Sequence, residues 1–263
     1  VGIIGIGNMG YAHLQTVTAG NIPDMTVTAV CDINPERLKA AKAEYPDIAA
    51  FGDYTDLLKN SDTNAVIIAV PHPLHAKIAI EAFEYGKHVL VEKPMDITVS
   101  AAEKLCAAAR KSGKVFAVMF NQRTNGLFRE ARRIVNSGEL GELKRSVWII
   151  TNWYRTQSYY DSGSWRATWR GEGGGVLLNQ APHNLDIWQW ICGKPSAVTA
   201  FCNVGKFHNI EVEDEATIYT EYENGATGVF ITSTGDCPGT NRLEITGTRG
   251  KIVLENGLLK LWK

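Results

Sequence analysis

Asn179, His183 and Asp186 stand at four- and three-residue spacings inside GGGVLLNQAPHNLD, Gly173 to Asp186. On a helix those spacings bring the three side chains to roughly one face. An imidazole there can take up a proton near neutral pH, and an amide can orient it. The set also raises a metal reading. Asn is a poor transition-metal ligand, and no second His or Cys lies at ligand spacing, so no metal is expected. Asp186 more simply sits one turn on and orients or caps locally. Pro182 has no N–H and would clash with the carbonyl of residue 178 in a regular helix. Either a kink falls beside His183 or the helix starts later.

A second set lies at the N-terminus. Gly5-Ile6-Gly7-Asn8-Met9-Gly10 follows a strand-like run and opens a helix-like one. In such a loop the first glycine permits a tight turn, the second lets backbone approach a pyrophosphate, and the third allows close helix–strand packing. The helix start offers free N–H groups to the phosphates, with Asn8 and Met9 at the same wall. Asp32, 22 residues beyond Gly10, stands where an acid binds the ribose 2′-OH. Its charge would also repel a 2′-phosphate, which favours NAD over NADP.

A third set is Glu92-Lys93-Pro94, at the end of a KHVLVE strand. Ligands bind at strand ends of this kind. Pro94 holds Lys93 extended and admits a cis bond, which would aim the lysine into a crevice. Otherwise Lys93 is a surface lysine in a strand-to-helix turn.

The elements that must position these groups are readable from periodicity. VGIIGI, MTVTAVCD, NAVIIAV, KHVLVE and KVFAVM are continuously apolar, as buried parallel strands are. Helix-like segments lie between them, with cap-like starts at Asn34 before Pro35 and Thr98 before Val99. This predicts a doubly wound Rossmann domain over residues 1–120. From 121 to 263 the texture changes. FREARRIVNSG and VLLNQAPHNLDIWQWICG read as helices. SAVTAFCNVGKF, EATIYTEYEN, GATGVFITSTG, NRLEITGT and GKIVLENG read as strands, many alternating, with a hairpin signal at Glu223-Asn224-Gly225. An α+β domain is expected, with a large, mainly antiparallel open sheet packed by helices on one face.

Bulk composition narrows the function classes. A net charge of −1 gives no basic bias toward nucleic acid or anionic membrane. No apolar run approaches the roughly 20 residues that span a bilayer. Five scattered cysteines without a CxxC pair read as reduced thiols in a cytoplasmic compartment. The missing initiator Met and the strand-like ending GLLKLWK lead us to expect a longer natural chain.

Together, GIGNMG, VEKP, Trp165-Arg166 followed after six residues by Gly173-Gly174-Gly175, and His183 resemble the glucose–fructose oxidoreductase / inositol dehydrogenase / MocA family. The resemblance runs from Gly5 to at least Asp186. It implies NAD(P)-dependent hydride transfer at a hydroxyl or carbonyl of a sugar, cyclitol or glycoside. It also implies that Lys93 and His183 flank the reacting carbon, and that the open sheet mediates a homodimer or homotetramer. Trp165 and Arg166 match a pair that reaches toward the cofactor; the other reading is a hydrophobic anchor beside a salt-bridged Arg. His75, in AVPHPLH, matches a position near the nicotinamide-proximal loop, or else caps a helix beginning at Leu74. Pro71 and Glu92 flank His75 and Lys93 on the cofactor side. Arg123, in Asn121-Gln122-Arg123, is a candidate for substrate hydroxyls, or a surface arginine. The aromatic segment 152–175 would cover a carbohydrate or form a subunit contact.

One departure stands out. The residue four before the histidine is commonly Asp in that family, and here it is Asn179. An amide orients a ring but supplies no counter-charge. The expected activity is therefore that of an NAD-dependent oxidoreductase with His183 as base, Lys93 polarising the oxygen and Asn179 orienting. The rival is a non-catalytic NAD-binding sensor on the same fold.

Overall fold

The computed structural model describes residues 1–60 and 62–263. The chain divides into two compact units, Val1–Met119 and Phe120–Lys263.

The first unit alternates strand and helix: β1 (Gly2–Ile4), α1 (Asn8–Thr18), β2 (Ala29–Cys31), α2 (Pro35–Glu44), β3 (Ala49–Phe51), α3 (Tyr54–Lys59), β4 (Ala65–Ile68), α4 (His75–Glu84), β5 (His88–Val91), α5 (Val99–Ser112) and β6 (Phe116–Val118). The strands are short, and the central ones, β1, β2 and β4, are buried almost throughout, so both faces of the sheet must be covered there. Neighbouring residues on a strand serve opposite layers. Ile3, Val30 and Ile67 pack with Leu14, Val17 and Ala41 of α1 and α2. Ile4, Cys31 and Ile68 pack with Leu57, Ala79 and Leu105 of α3, α4 and α5. All pairings are parallel, in the order β3-β2-β1-β4-β5-β6. The strand order reverses between β1 and β4, which makes that crevice the topological switch point.

The helix starts follow local chemistry. The Asn34 side chain accepts from Glu36 N–H at 2.9 Å with Pro35 at the first position, and the Thr98 hydroxyl accepts from Ala101 N–H. β3 and α3 are absent from the periodicity reading, being only three and six residues long. The MTVTAVCD strand shrinks to Ala29–Cys31.

The second unit contains α6 (Gly126–Asn136), β7 (Leu143–Ile150), α7 (Gln157–Asp161), α8 (Pro182–Cys192), β8 (Ala197–Val204), β9 (Glu213–Glu221), β10 (Thr227–Ser233), β11 (Asn241–Gly247), β12 (Lys251–Glu255) and β13 (Leu258–Trp262). Its seven strands run in the order β13-β12-β11-β7-β10-β9-β8. The sheet is antiparallel except where β7 lies parallel to β10. β7, which the pattern reading passed over, is its central strand. Ala131 and Ile134 of α6, with Ile187, Trp188 and Ile191 of α8, pack on Trp148, Phe230, Leu243 and Ile252 of the sheet. Trp188 stacks on Phe230 at 5.5 Å and donates its indole N–H to Ser146 at 2.9 Å. The turn after β9 has Gly225 at φ +80°, as the hairpin signal requires.

One expectation is corrected here. The run from Val176 to Gly193 is not one helix with a kink. Residues 175–181 form turns, with Asn179 N–H and Leu178 N–H both donating to the Gly175 carbonyl. The helix starts at Pro182, where a missing N–H is no loss. Asn179 therefore lies outside the helix, and only His183 and Asp186 share its first turns.

Candidate active site

In the first unit the expected cofactor residues all follow the ends of four adjacent strands: Gly5–Gly10 after β1, Asp32 after β2, Pro71 and His75 after β4, and Glu92 and Lys93 after β5. The three glycines divide by cause. Gly5 has φ +84°, and a Cβ there would sit 2.6 Å from the Ala69 carbonyl oxygen. A Cβ on Gly10 would sit 1.8 Å from the Gly5 carbonyl oxygen. Packing within the chain demands both. At Gly7 the nearest atom to such a Cβ is Arg37 Nη1, at 3.8 Å. Nothing in the protein excludes a side chain there. What a methyl would fill is the space at the start of α1, whose first N–H groups have no side-chain cap and no acidic neighbour in the first turn. Uncapped N–H groups and the positive end of the helix dipole suit a pyrophosphate. The residues present fit a dinucleotide.

Asp32 is 5% exposed and rigidly held. Its Oδ2 accepts from Ile6 N–H at 2.9 Å, and its Oδ1 accepts from Asn34 N–H at 2.8 Å. Arg37 approaches Oδ2 at 3.3 Å from the solvent side, a neighbour that the sequence reading did not single out.

Beyond β4, Pro71 is exposed, and His75, 1% exposed, is the first residue of α4. His75 ties two loops together: Nδ1 lies 2.7 Å from the Pro94 carbonyl oxygen and Nε2 2.8 Å from that of Val70. Burial pushes its pKa below the ordinary histidine value, against both carbonyls, which favour the protonated ring. The Lys93–Pro94 bond is cis. Glu92 is buried, 2.8 Å from His13 Nε2, and its other oxygen accepts from Lys93 N–H at 3.2 Å. Burial alone would raise the Glu92 carboxyl. The His13 hydrogen bond and the charges of His13 and Lys93 outweigh it and hold the pKa below the usual range.

In the second unit, His183 is the second residue of α8, with its ring edge-on to Phe120 at 6.0 Å. Arg166 lies over the rings of Trp165 and Tyr159, each at 4.6 Å, and donates to the Tyr159 hydroxyl at 2.9 Å. Arg123 is held by Asp186 through two hydrogen bonds of 2.8 and 2.6 Å, and it faces Trp190 at 5.6 Å. That pairing ties the 3₁₀ turn of Asn121–Thr124 to α8 and engages the fork expected at substrate hydroxyls. The carboxylate lowers the energy of the charged guanidinium and pushes the Arg123 pKa up.

Three buried carboxylates organise this region, and the residue spacing pointed to none of them. Glu213, at the start of β9, accepts from Gly175 N–H at 2.9 Å and Leu177 N–H at 3.0 Å. A Cβ on Gly175 would lie 1.9 Å from the Glu213 carbonyl oxygen, which accounts for that glycine. Asp214 accepts three backbone N–H groups, from Lys206, Phe207 and His208, and faces His208 Nδ1 at 3.0 Å. Glu172, 1% exposed, accepts from Ala167 N–H at 2.7 Å and from the Asn179 side-chain amide. The only trace of these in the sequence is an acid set among glycines, and an acid pair opening a strand.

A dinucleotide cradle at the switch point of a parallel sheet, with a second α+β unit in the same chain, marks a nicotinamide-dependent oxidoreductase. The chain belongs to the GFO/IDH/MocA family. The model of the oxidoreductase family with an NAD-binding Rossmann fold matches residues 1–120, and that of the GFO/IDH/MocA C-terminal domain matches residues 128–253. An uncharacterized oxidoreductase of Bacillus subtilis, YrbE, is 30% identical over 97% of this chain and 73% of its own length. Levoglucosan dehydrogenase of Pseudarthrobacter phenanthrenivorans is 28% identical, over 96% of this chain and 72% of its own. The WlbA dehydrogenase of Chromobacterium violaceum, solved with NADH and UDP-GlcNAcA, superposes with a TM-score of 0.92. It is 28% identical, over 100% of this chain and 76% of that one.

Proposed function

We propose that this protein uses NAD in preference to NADP to oxidise a secondary hydroxyl of a sugar-like substrate, or to reduce the corresponding carbonyl. The observation that carries the cofactor part is Asp32, a buried carboxylate fixed by two backbone N–H groups at the strand end next to the Gly7 cradle. A fixed negative charge there accepts a ribose 2′-OH and opposes a 2′-phosphate. The sugar class is supported by levoglucosan dehydrogenase and by the WlbA dehydrogenase solved with UDP-GlcNAcA, both similar over nearly all of this chain. The aromatic and basic run from Tyr154 to Arg170 supplies ring faces and hydroxyl-binding groups in keeping with such a ligand.

NAD, when bound, supplies the hydride acceptor. His183 is the candidate general base for the hydroxyl proton, Lys93 the candidate cation for polarising the substrate, and Asn179 an orienting amide. Glu92 and His75 hold the backbone on either side of Lys93. The open face of the second sheet, with Phe201 and Tyr219 exposed on it, supports association with further copies of the chain.

The test is absorbance at the NADH band with hexoses, anhydrosugars, inositols and nucleotide-linked uronic sugars, each with NAD and with NADP. Turnover of at least one sugar, with NAD favoured, is expected. A preference for NADP would overturn the cofactor assignment. No turnover across the panel, with NAD shown to bind, would overturn the substrate class.

A further inference from the structure

Resting on the dehydrogenase reading, we infer that Glu172 is the fixed negative charge of the proton-transfer site, exerted through Asn179 in place of an acid at position 179. Glu172 is 1% exposed, and both of its oxygens accept hydrogen bonds. A carboxylate this deep favours positive charge nearby. In this reaction the group that becomes positive in the second unit is the His183 imidazole, in the first turn of the helix that the Asn179 turn leads into, as it takes the hydroxyl proton.

The pairing also fixes which way the Asn179 amide points. An ionised carboxylate only accepts, so Asn179 must turn its Nδ2 to Glu172, leaving Oδ1 as the acceptor for its other neighbours. The amide thus presents an oxygen, as an aspartate would, while the charge sits one residue behind it. Glu172 is held for this task. Its backbone N–H donates to the Thr168 carbonyl at 2.9 Å, and its carboxylate grips the N–H of Ala167, a residue at φ +51°. A Cβ on the preceding Gly171 would strike the Trp165 backbone oxygen at 2.1 Å. The loop bearing Trp165 and Arg166 is therefore folded around this carboxylate. Glu172 is a positioning residue, acting on His183 through Asn179.

Exchange of the two groups tests this on the NAD-bound protein. In Glu172→Gln the charge is lost and Ala167 N–H still needs the oxygen, so the new amide nitrogen faces Asn179 and flips it. We expect kcat/KM to fall about 10- to 100-fold, with KM changed much less than kcat. The acidic limb should move to lower pH by about one unit, because the imidazolium has lost its stabilising charge. Asn179→Asp, which sets two carboxylates against each other, should also lower kcat/KM. The double variant Glu172→Gln/Asn179→Asp restores one carboxylate facing one amide and should recover activity to within a few-fold of the starting protein. An NMR titration of His183 should report the same downward shift in Glu172→Gln, with or without a known substrate. If Glu172→Gln fails to fold, recovery in the double variant relative to Asn179→Asp decides the matter. Coincident pH profiles and His183 titrations, or a double variant no better than the worse single one, would overturn the inference. If the starting protein turns over no sugar, the dehydrogenase reading fails, and the His183 titration still decides the role of Glu172.

Discussion

Gly7 and Gly10 provide a paired perturbation that separates what the fold needs from what the ligand needs. In Gly7→Ala the new methyl meets no atom nearer than 3.8 Å, and the residue already has φ −67°, so the backbone accepts alanine. Alanine is a slightly poorer N-cap than glycine, but it restricts the unfolded chain, so stability should change by no more than about 0.5 kcal/mol. For a domain of this size that is roughly 2 °C or less in Tm. The methyl does occupy the approach to the uncapped N–H groups of α1. Losing one charge-assisted hydrogen bond to a phosphate removes about 1.5–3 kcal/mol, which raises the Kd for NADH about 10- to 100-fold. In Gly10→Ala the Cβ would lie 1.8 Å from the Gly5 carbonyl oxygen, with only backbone available to move. That substitution should cost about 3 kcal/mol or more through forced displacement of α1 from β1. Isothermal titration with NADH and thermal unfolding on both variants check the argument. If Gly7→Ala bound NADH as tightly as the parent, or lost as much Tm as Gly10→Ala, the assignment of Gly7 to the phosphate would be wrong.

Two further outcomes follow from the buried polar groups. His75 has a pKa lowered by burial, so below about pH 6.5 the unfolded chain takes up a proton that the folded one resists. Its contribution is intact above that pH and is lost as pH falls. Urea unfolding above and below that pH should show a smaller drop in His75→Asn; an equal drop would exclude His75 as a source. Glu213→Ala leaves Gly175 N–H and Leu177 N–H without their acceptor, at about 1–3 kcal/mol each. Amide hydrogen exchange at these two positions should accelerate, and unchanged protection would show that the carboxylate does not hold the glycine turn.

Much of the first unit was legible because its signals are local. A glycine loop between strand and helix, an acid 22 residues on, and caps at Asn34 and Thr98 depend on neighbours within a few residues. Alternation along β9, β10 and β11 likewise announces a sheet with one buried face. Short elements such as β3 and α3 escaped, since three to six residues hold less than two turns of any period. β7 escaped for another reason. LKRSVWII mixes charged and apolar residues, and its partners β10 and β11 lie some 80 to 100 residues downstream.

The same division runs through the candidate site. Residue types and spacing determined the phosphate loop, the Glu92-Lys93-Pro94 turn and His183 as the imidazole beside the glycine run. Tertiary structure alone decided that Asn179 leaves the helix and turns its amide to Glu172, that Glu213 holds the backbone of Gly175, and that Arg123 closes on Asp186. Chain spacing sets which groups share a turn of helix or a face of a strand. Which carboxylate meets which N–H is set by strand pairing and loop closure across the fold, and a buried carboxylate must find its donors wherever that packing brings them.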